Sequence, residues 1–424
     1  MTLHRVIGGC AALALIISIA SCASPGPVVL RAEGVTAQTV GLADAPALDD
    51  VVDAARTLGV ATLGLSDEDE NVVLSPGSLA TALAMLAEGA RGESLAELEA
   101  VLGAAGPERA EAFAALRGAL ALLDGDPAAA TADELPERPI LHVADQVVID
   151  DGVGVRDEFL ESLTGTFDAG VQHTDLSTEQ GLAPLHEWVR EHTGGLIEKS
   201  AIEPDPLLKA VLQDAVLLAA RWKTPFGPAS DESFTLADGT VVRTATMGAL
   251  EKEFAHAEVD GWAAVRLPYT EALHADVLLP PEGQDPAAAT ADVLADLDSA
   301  LDAAVPGPIH LTLPTLDIES ETDLLSMLPG LGLATLPECS GAADLSGIAG
   351  DPGDLCVGQA KQQAVLQVDE AGTVAAAVTE LGVVQLSMPH VEAEFLFDRP
   401  FLFTVSHDQT DWPLFLAAIR DPRH

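Results

Sequence analysis

Hydrophobic positions recur with a helical period in the first third of the chain and with a strand period in its last third. Val51, Val52, Ala55, Leu58 and Leu63 share one face of a helix that begins near Leu48 and stops at Gly64. The acidic run at 67–70 lacks the spaced ligands and glycine of a calcium loop, so it reads as a solvated turn. An Ala/Leu/Met stretch at 78–88 predicts a second helix, capped by Ser75 or Ser78 with Pro76 in its first turn. Further helices are expected at 94–102, 107–123, 156–164, 182–192, 287–305 and 321–328. The Pro/Ala/acid-rich segment 124–139 reads as a surface loop. Residues 207–220, nearly all apolar, predict a strand buried on both faces. The turn Ala237-Asp238-Gly239-Thr240 between short apolar runs is a hairpin signal. Other strands are expected at 140–149, 263–267, 275–279, 309–313, 361–368, 401–406 and 414–420. Early helices and late strands predict an α+β fold, and neither an internal repeat nor an interior linker is visible.

The stretch 369–389 resists a local assignment. Its alanines favour helix, while Thr373, Val374, Val378, Thr379, Val383 and Val384 favour strand. With a two-residue period, Thr373, Ala375, Ala377, Thr379, Leu381 and Val383 form one uncharged row, small at its start, that could enter a packed sheet without clashes. Val374, Ala376, Val378, Glu380, Gly382 and Val384 form the other row. Gly372, just ahead, has the backbone freedom of a hinge.

Charge narrows the partners. With 67 Asp+Glu against 20 Lys+Arg the net charge is −47, so a phosphate backbone would be repelled and nucleic acid is not an expected partner. Self-repulsion on this scale strains a compact state and is relieved by salt. Apolar residues make up 48% of the chain and aromatics only 4%, so a large core must consist mainly of Leu, Val and Ala.

Residues 1–21 read as an export signal: one arginine, then an apolar stretch from Val6 to Ala20, too short for a comfortable spanning helix. The stretch ends Ile19-Ala20-Ser21-Cys22, which resembles a bacterial lipobox; an ordinary signal peptide with an incidental Cys22 is the competing reading. Lipid on Cys22 would make the chain an exported lipoprotein, anchored to a membrane on its extracytoplasmic side. Residues 22–46, rich in Pro and Gly, read as a flexible tether, and 47–424 as one domain. Cys339 and Cys356 remain. In an exported chain they are expected to form a disulfide, adding about 3 kcal/mol in the entropic account, with two free thiols as the alternative. Two cysteines without further ligands do not make a zinc site.

Catalytic patterns are not evident. His186 and His192 stand six apart, about 600° of helical turn, whereas a zincin needs a four-residue spacing. No serine lies in a G-x-S-x-G elbow, and no phosphate loop or dinucleotide fingerprint occurs. An enzyme is therefore not expected, and no cofactor or metal is called for.

Six blocks in order carry a resemblance. Asn71-Val72-Val73-Leu74-Ser75-Pro76-Gly77-Ser78, Gly89-Ala90-Arg91-Gly92-Glu93-Ser94, Trp222-Lys223-Thr224-Pro225-Phe226, Asp369-Glu370-Ala371-Gly372-Thr373-Val374-Ala375-Ala376-Ala377-Val378-Thr379, Arg399-Pro400-Phe401 and the closing Pro413-Leu414-Phe415 through Asp421-Pro422 resemble the signature segments of the serpins. The resemblance spans roughly 46–424. It implies the serpin fold, helices packed on a large central sheet with smaller sheets and an exposed reactive loop. It also implies a monomer that inhibits serine proteases, with cysteine proteases a further target class. In that mechanism the protease attacks a bait bond, forms an acyl-enzyme, and is trapped when the cleaved loop enters the central sheet. Glu370, Gly372, Thr373, Ala375, Ala376, Ala377 and Thr379 would be the hinge. No charge, bulk or proline interrupts it before Glu380, as happens in non-inhibitory relatives. A non-inhibitory surface scaffold is the alternative function.

Two departures stand out. Counting from Gly372 places the bait bond at Leu386-Ser387, while counting back from Pro400 places it about three residues later, so the loop is longer than usual. Leu386 is expected at the bait position, with Gln385 and Met388 as alternates; Met388 is disfavoured by the following Pro389. Leucine suits a hydrophobic protease pocket of chymotrypsin, subtilisin or elastase type. Among the residues expected beneath the sheet (Ser75, Ser78, Asp214, Trp222 and Gln362), Gln362 and Asp214 replace the family's usual histidine and asparagine. The expectation is that the amide of Gln362 donates to Asp214.

Overall fold

The apolar face at Leu48–Gly64 folds as predicted: helix α1 buries Val51, Val52, Ala55, Leu58 and Leu63 against the core. The computed structural model describes residues 29–132, 134–339, 341–373 and 391–423. Helices α2 (Pro76–Gly89), α3 (Gly92–Leu102), α4 (Gly106–Leu120), α5 (Asp157–Ser162), α6 (Ala183–His192) and α7 (Ala291–Ala303) follow. Ser75 caps α2, accepting the Ser78 N–H at 3.4 Å, and Pro76 opens its first turn. None of the helices among the described residues is long and apolar enough to cross a membrane.

The strands are β1 (Val29–Leu30), β2 (Val72–Leu74), β3 (Ile140–Asp150), β4 (Gly170–Thr174), β5 (Ala210–Arg221), β6 (Gly227–Thr235), β7 (Val241–Val259) and β8 (Trp262–Pro268). After them come β9 (Leu273–Leu279), β10 (Gly307–Pro314), β11 (Leu316–Asp323), β12 (Lys361–Val368), β13 (Gly372–Thr373), β14 (Ala393–Leu396), β15 (Phe401–His407) and β16 (Pro413–Ile419). One sheet runs β1-β4-β3-β5-β13-β12-β11. The other runs β14-β10-β7-β8-β9-β15-β16-β2, with β6 paired to β7. Helix α2 touches β5 of the first sheet and β16 of the second, so its N-terminus sits under the middle of the first sheet.

Three expectations change. The helix expected at 321–328 is absent: β11 continues to Asp323, with Leu316, Ile318 and Thr322 buried and Asp317, Glu319 and Asp323 facing out. Residues 207–220 are not buried on both faces throughout. Burial alternates along the first half of β5, leaving Leu212, Asp214 and Val216 only partly covered, because that face looks onto open space described below. From Val29 onward the expected tether lies on the body. Strand β1 pairs antiparallel with β4, Gln38 donates its N–H to the Gly165 carbonyl at 2.7 Å, and Arg31 forms an ion pair with Asp168. Cys339 and Cys356, with Cα atoms 5.1 Å apart, are joined by a disulfide in the segment between β11 and β12.

Candidate functional site

Strand β12 ends at Val368 and the chain turns back at once. Asp369 Oδ1 accepts the N–H groups of Ala371 (2.8 Å) and Gly372 (3.0 Å), closing the turn. Burial holds the Asp369 carboxyl above its usual range, against the pull of those two donors. The turn is gripped from outside: Trp222 Nε1 donates to the Asp369 carbonyl at 2.9 Å, and the Ala229 N–H reaches Glu370 Oε1 at 2.7 Å. Strand β13 emerges between β5 and β12, with Gly372 opposite Arg221 and Thr373 opposite both Ala220 and Val368. Only glycine fits first, because a Cβ on Gly372 would lie 2.0 Å from the Ala220 carbonyl oxygen. Thr373 is 2% exposed and its hydroxyl meets the Tyr269 hydroxyl at 2.5 Å. Burial pushes the Tyr269 phenol well up, so it stays neutral, and its ring stacks on Trp222 with centroids 4.5 Å apart.

Below Thr373 no strand among the described residues lies between β5 and β12. Among the described residues β5 and β12 are joined only through the two residues of β13. A slot of about 120 Å³ continues downward between Leu212–Leu218 on one side and Lys361–Leu366 on the other, with Ser75 and Ser78 at its floor.

At that floor the expected Gln362–Asp214 bond is not formed. The Gln362 amide is spent on the backbone of Ser75, accepting its N–H at 3.0 Å and donating to its carbonyl at 3.0 Å. The side-chain amide is thus matched to both backbone groups of Ser75, and its second N–H makes no hydrogen bond to Asp214. Asp214 instead stands directly opposite Asp145 in the β3–β5 register. Burial first, then the neighbouring Asp214 charge, hold the Asp145 carboxyl well above the usual carboxylate range, and Arg117 only partly offsets them. Asp214 is raised as well, by burial, although the hydrogen bonds from Asp145 and Ser78 act the other way. Both shifts favour the neutral form, so the pair is expected to hold a proton between its two carboxyls. The serines beneath are linked through their hydroxyls at 2.9 Å.

Comparison with known proteins matches this arrangement to one family. Residues 60–422 fit the family model described as Serpin (serine protease inhibitor). This chain belongs to the serpin family. It is 32% identical to Iripin-3 of Ixodes ricinus, over 88% of this chain and 94% of that protein. Chicken (Gallus gallus) neuroserpin is 28% identical over 84% of this chain and 87% of its own length. Among solved structures, the thermophilic serpin Tengpin in its native state superposes with a TM-score of 0.77 at 22% identity, covering 93% of this chain and 100% of that one. Serpins are typically serine protease inhibitors and not enzymes.

Within this serpin the structure gathers Glu370, Gly372, Thr373 and Trp222 at the top of the slot and Ser75, Ser78, Gln362 and Asp214 at its floor. Ala375, Ala376, Ala377, Thr379, Gln385, Leu386, Ser387, Met388 and Cys22 lie outside the described residues. His186 and His192 serve separate ends of α6: His186 accepts the Ser200 N–H, and His192 meets His142 at 2.8 Å. Asp145 is the residue that sequence reasoning missed. Its strand was legible, but its partner across the ladder depends on register.

Proposed function

We propose that this serpin inhibits serine proteases by offering Leu386-Ser387 as bait and then inserting the cleaved loop between β5 and β12. The observation that carries this reading is β13: the first hinge residues already occupy a strand position between β5 and β12, above a slot that the following residues could extend into. The small uncharged row Thr373, Ala375, Ala377 and Thr379 suits that slot, and cleavage frees it to enter. Leucine at the bait position favours proteases with hydrophobic primary pockets. The chain acts as a monomer without a cofactor, exported and held to a membrane by lipid on Cys22.

The test is incubation of the full chain with chymotrypsin-, subtilisin- and elastase-like proteases. A complex that survives denaturing electrophoresis is expected, with the loop cut after residue 386 by mass spectrometry. Leu386→Arg should lose those targets and gain trypsin-like ones. Cleavage without any complex, across the panel, would instead favour a non-inhibitory surface scaffold; a cut after 388 would move the bait residue. Cys22→Ala should shift the protein from membrane to soluble fractions or leave its precursor uncleaved, and unchanged processing and retention would remove the lipid from the account.

A further inference from the structure

A cavity of about 1190 Å³ lies against strand β3, at the upper end of or above the usual size of a small-molecule pocket, about 300–1000 Å³. Strand β4 pairs with β3 only from Gln146 to Asp150, so among the described residues the edge of β3 from Ile140 to Asp145 has no paired strand beside it. The cavity reaches around that edge. Its apolar walls include Phe113 and Leu116 of α4, Phe167, Leu141, Trp412 and Leu414. Asp145 and Asp214 face into it from adjacent strands.

This acid pair is an unusual end for such a cavity. Asp145 Oδ1 and Asp214 Oδ2 are shut off from solvent, and no hydrogen-bond donor from outside the pair reaches either atom. Two carboxylates at such range cannot both stay ionised unaided, and the shared proton answers that in the free protein. Arg117 does not neutralise them, because its Nε donates to the Thr166 carbonyl at 3.1 Å and its Nη2 to the Gln38 carbonyl at 2.5 Å. Ser78 lends Asp214 a hydroxyl, which is uncharged.

We propose that this cavity binds an organic cation, a primary ammonium carried on an apolar body, with Asp145 and Asp214 as its anionic end. An ammonium brings three donors to the pair, and its apolar body covers the partly exposed lining residues Val143, Val216 and Trp188. On docking, the shared proton leaves to solvent and both carboxylates become ionised against the ammonium, so binding releases up to one proton. A divalent metal would leave the apolar lining beside the pair unused.

The test uses the full chain in about 1 M NaCl, where screening shortens to about 3 Å and general attraction to the acidic surface is suppressed. Phenethylamine and its neutral counterpart phenethyl alcohol are titrated calorimetrically in buffers of different ionisation heat. The amine should bind saturably, release protons and tighten as pH rises from the acid side, with the alcohol about tenfold weaker or more. Asp214→Asn and Asp145→Asn should each weaken the amine by about tenfold or more and leave the alcohol unchanged. Equal binding of amine and alcohol, equal binding of the amine to wild type and to both variants, absence of amine binding, or saturable calcium or magnesium binding at the pair would each overturn the assignment. No protease enters the experiment, so its outcome is independent of the inhibitory reading.

Discussion

Thr373→Arg should turn the inhibitor into a substrate. The variant is expected to be cut at the same bond as wild type and to release active protease, with the covalent complex on a denaturing gel falling to a small fraction of the wild-type yield. Thr373 is almost fully enclosed and spends its hydroxyl on Tyr269. An arginine there would place an unpaired charge in packed interior, which costs several kcal/mol even after relaxation. Trapping is a race between insertion and hydrolysis of the acyl-enzyme, and about 1.4 kcal/mol of added barrier slows a step tenfold. Because Thr373 is seated before any cleavage, the substitution also acts on the uncleaved protein by displacing β13. The melting temperature should change modestly while the yield collapses. Tyr269→Phe, which deletes one hydroxyl and keeps the ring on Trp222, should fall between the two, and Ala376→Arg on the opposite row should be milder. A wild-type complex yield from Thr373→Arg would remove both the hinge assignment and the insertion mechanism.

Asp145→Asn should make the protein more stable at neutral pH and change little in acid. Both carboxyls of the Asp145–Asp214 pair are raised, chiefly by burial, so the folded state binds a proton that the unfolded chain releases near its ordinary value of 3.8. The stability this lends is full below that ordinary value and is lost as pH rises toward and through the raised folded value. Within that window the loss runs at about 1.4 kcal/mol per pH unit for each proton. Asparagine keeps an amide donor for Asp214 and has no proton to lose, so the variant should escape the decline. Melting curves of wild type and variant should coincide near pH 4 and separate toward neutrality, the variant higher. Parallel curves across the range would show that the pair does not share a proton in the folded state.

The helices α1 and α2 were legible because caps, a glycine stop and an apolar stripe agree within a single segment. Of the expected hinge row, Thr373 is described, and with Gly372 it pairs as a strand between β5 and β12; the alternating residues after it lie outside the described residues. Strand β11 was misread because its outward face, Asp317, Glu319, Glu321 and Asp323, is as polar as an exposed helix, and the inward Leu316 and Ile318 are too few to fix a period. Strand β4, with five residues and Gln172 buried among them, gave no apolar run to find. The Gln362–Asp214 pairing failed for a different cause. Each residue was placed on its correct strand, but which side chains meet depends on ladder register and on the backbone of α2 below, neither of which a linear pattern contains. The direct opposition of Asp145 and Asp214 is a fact of register alone.

Strand β1 gives the lipid proposal a geometry. From Cys22 to Val29 the chain can span at most about 25 Å when fully extended, so an acyl chain in the bilayer would keep the β1–β4 margin of the sheet close to the lipid surface. That margin belongs to the same side of the seam as β3 and β5. If the cleaved loop inserts as proposed, the seam would widen, and the moored side would stay near the membrane while the β12–β11 side swings outward. The captured protease would then be carried relative to a fixed floor, so that the membrane itself supplies the frame of reference for the stroke.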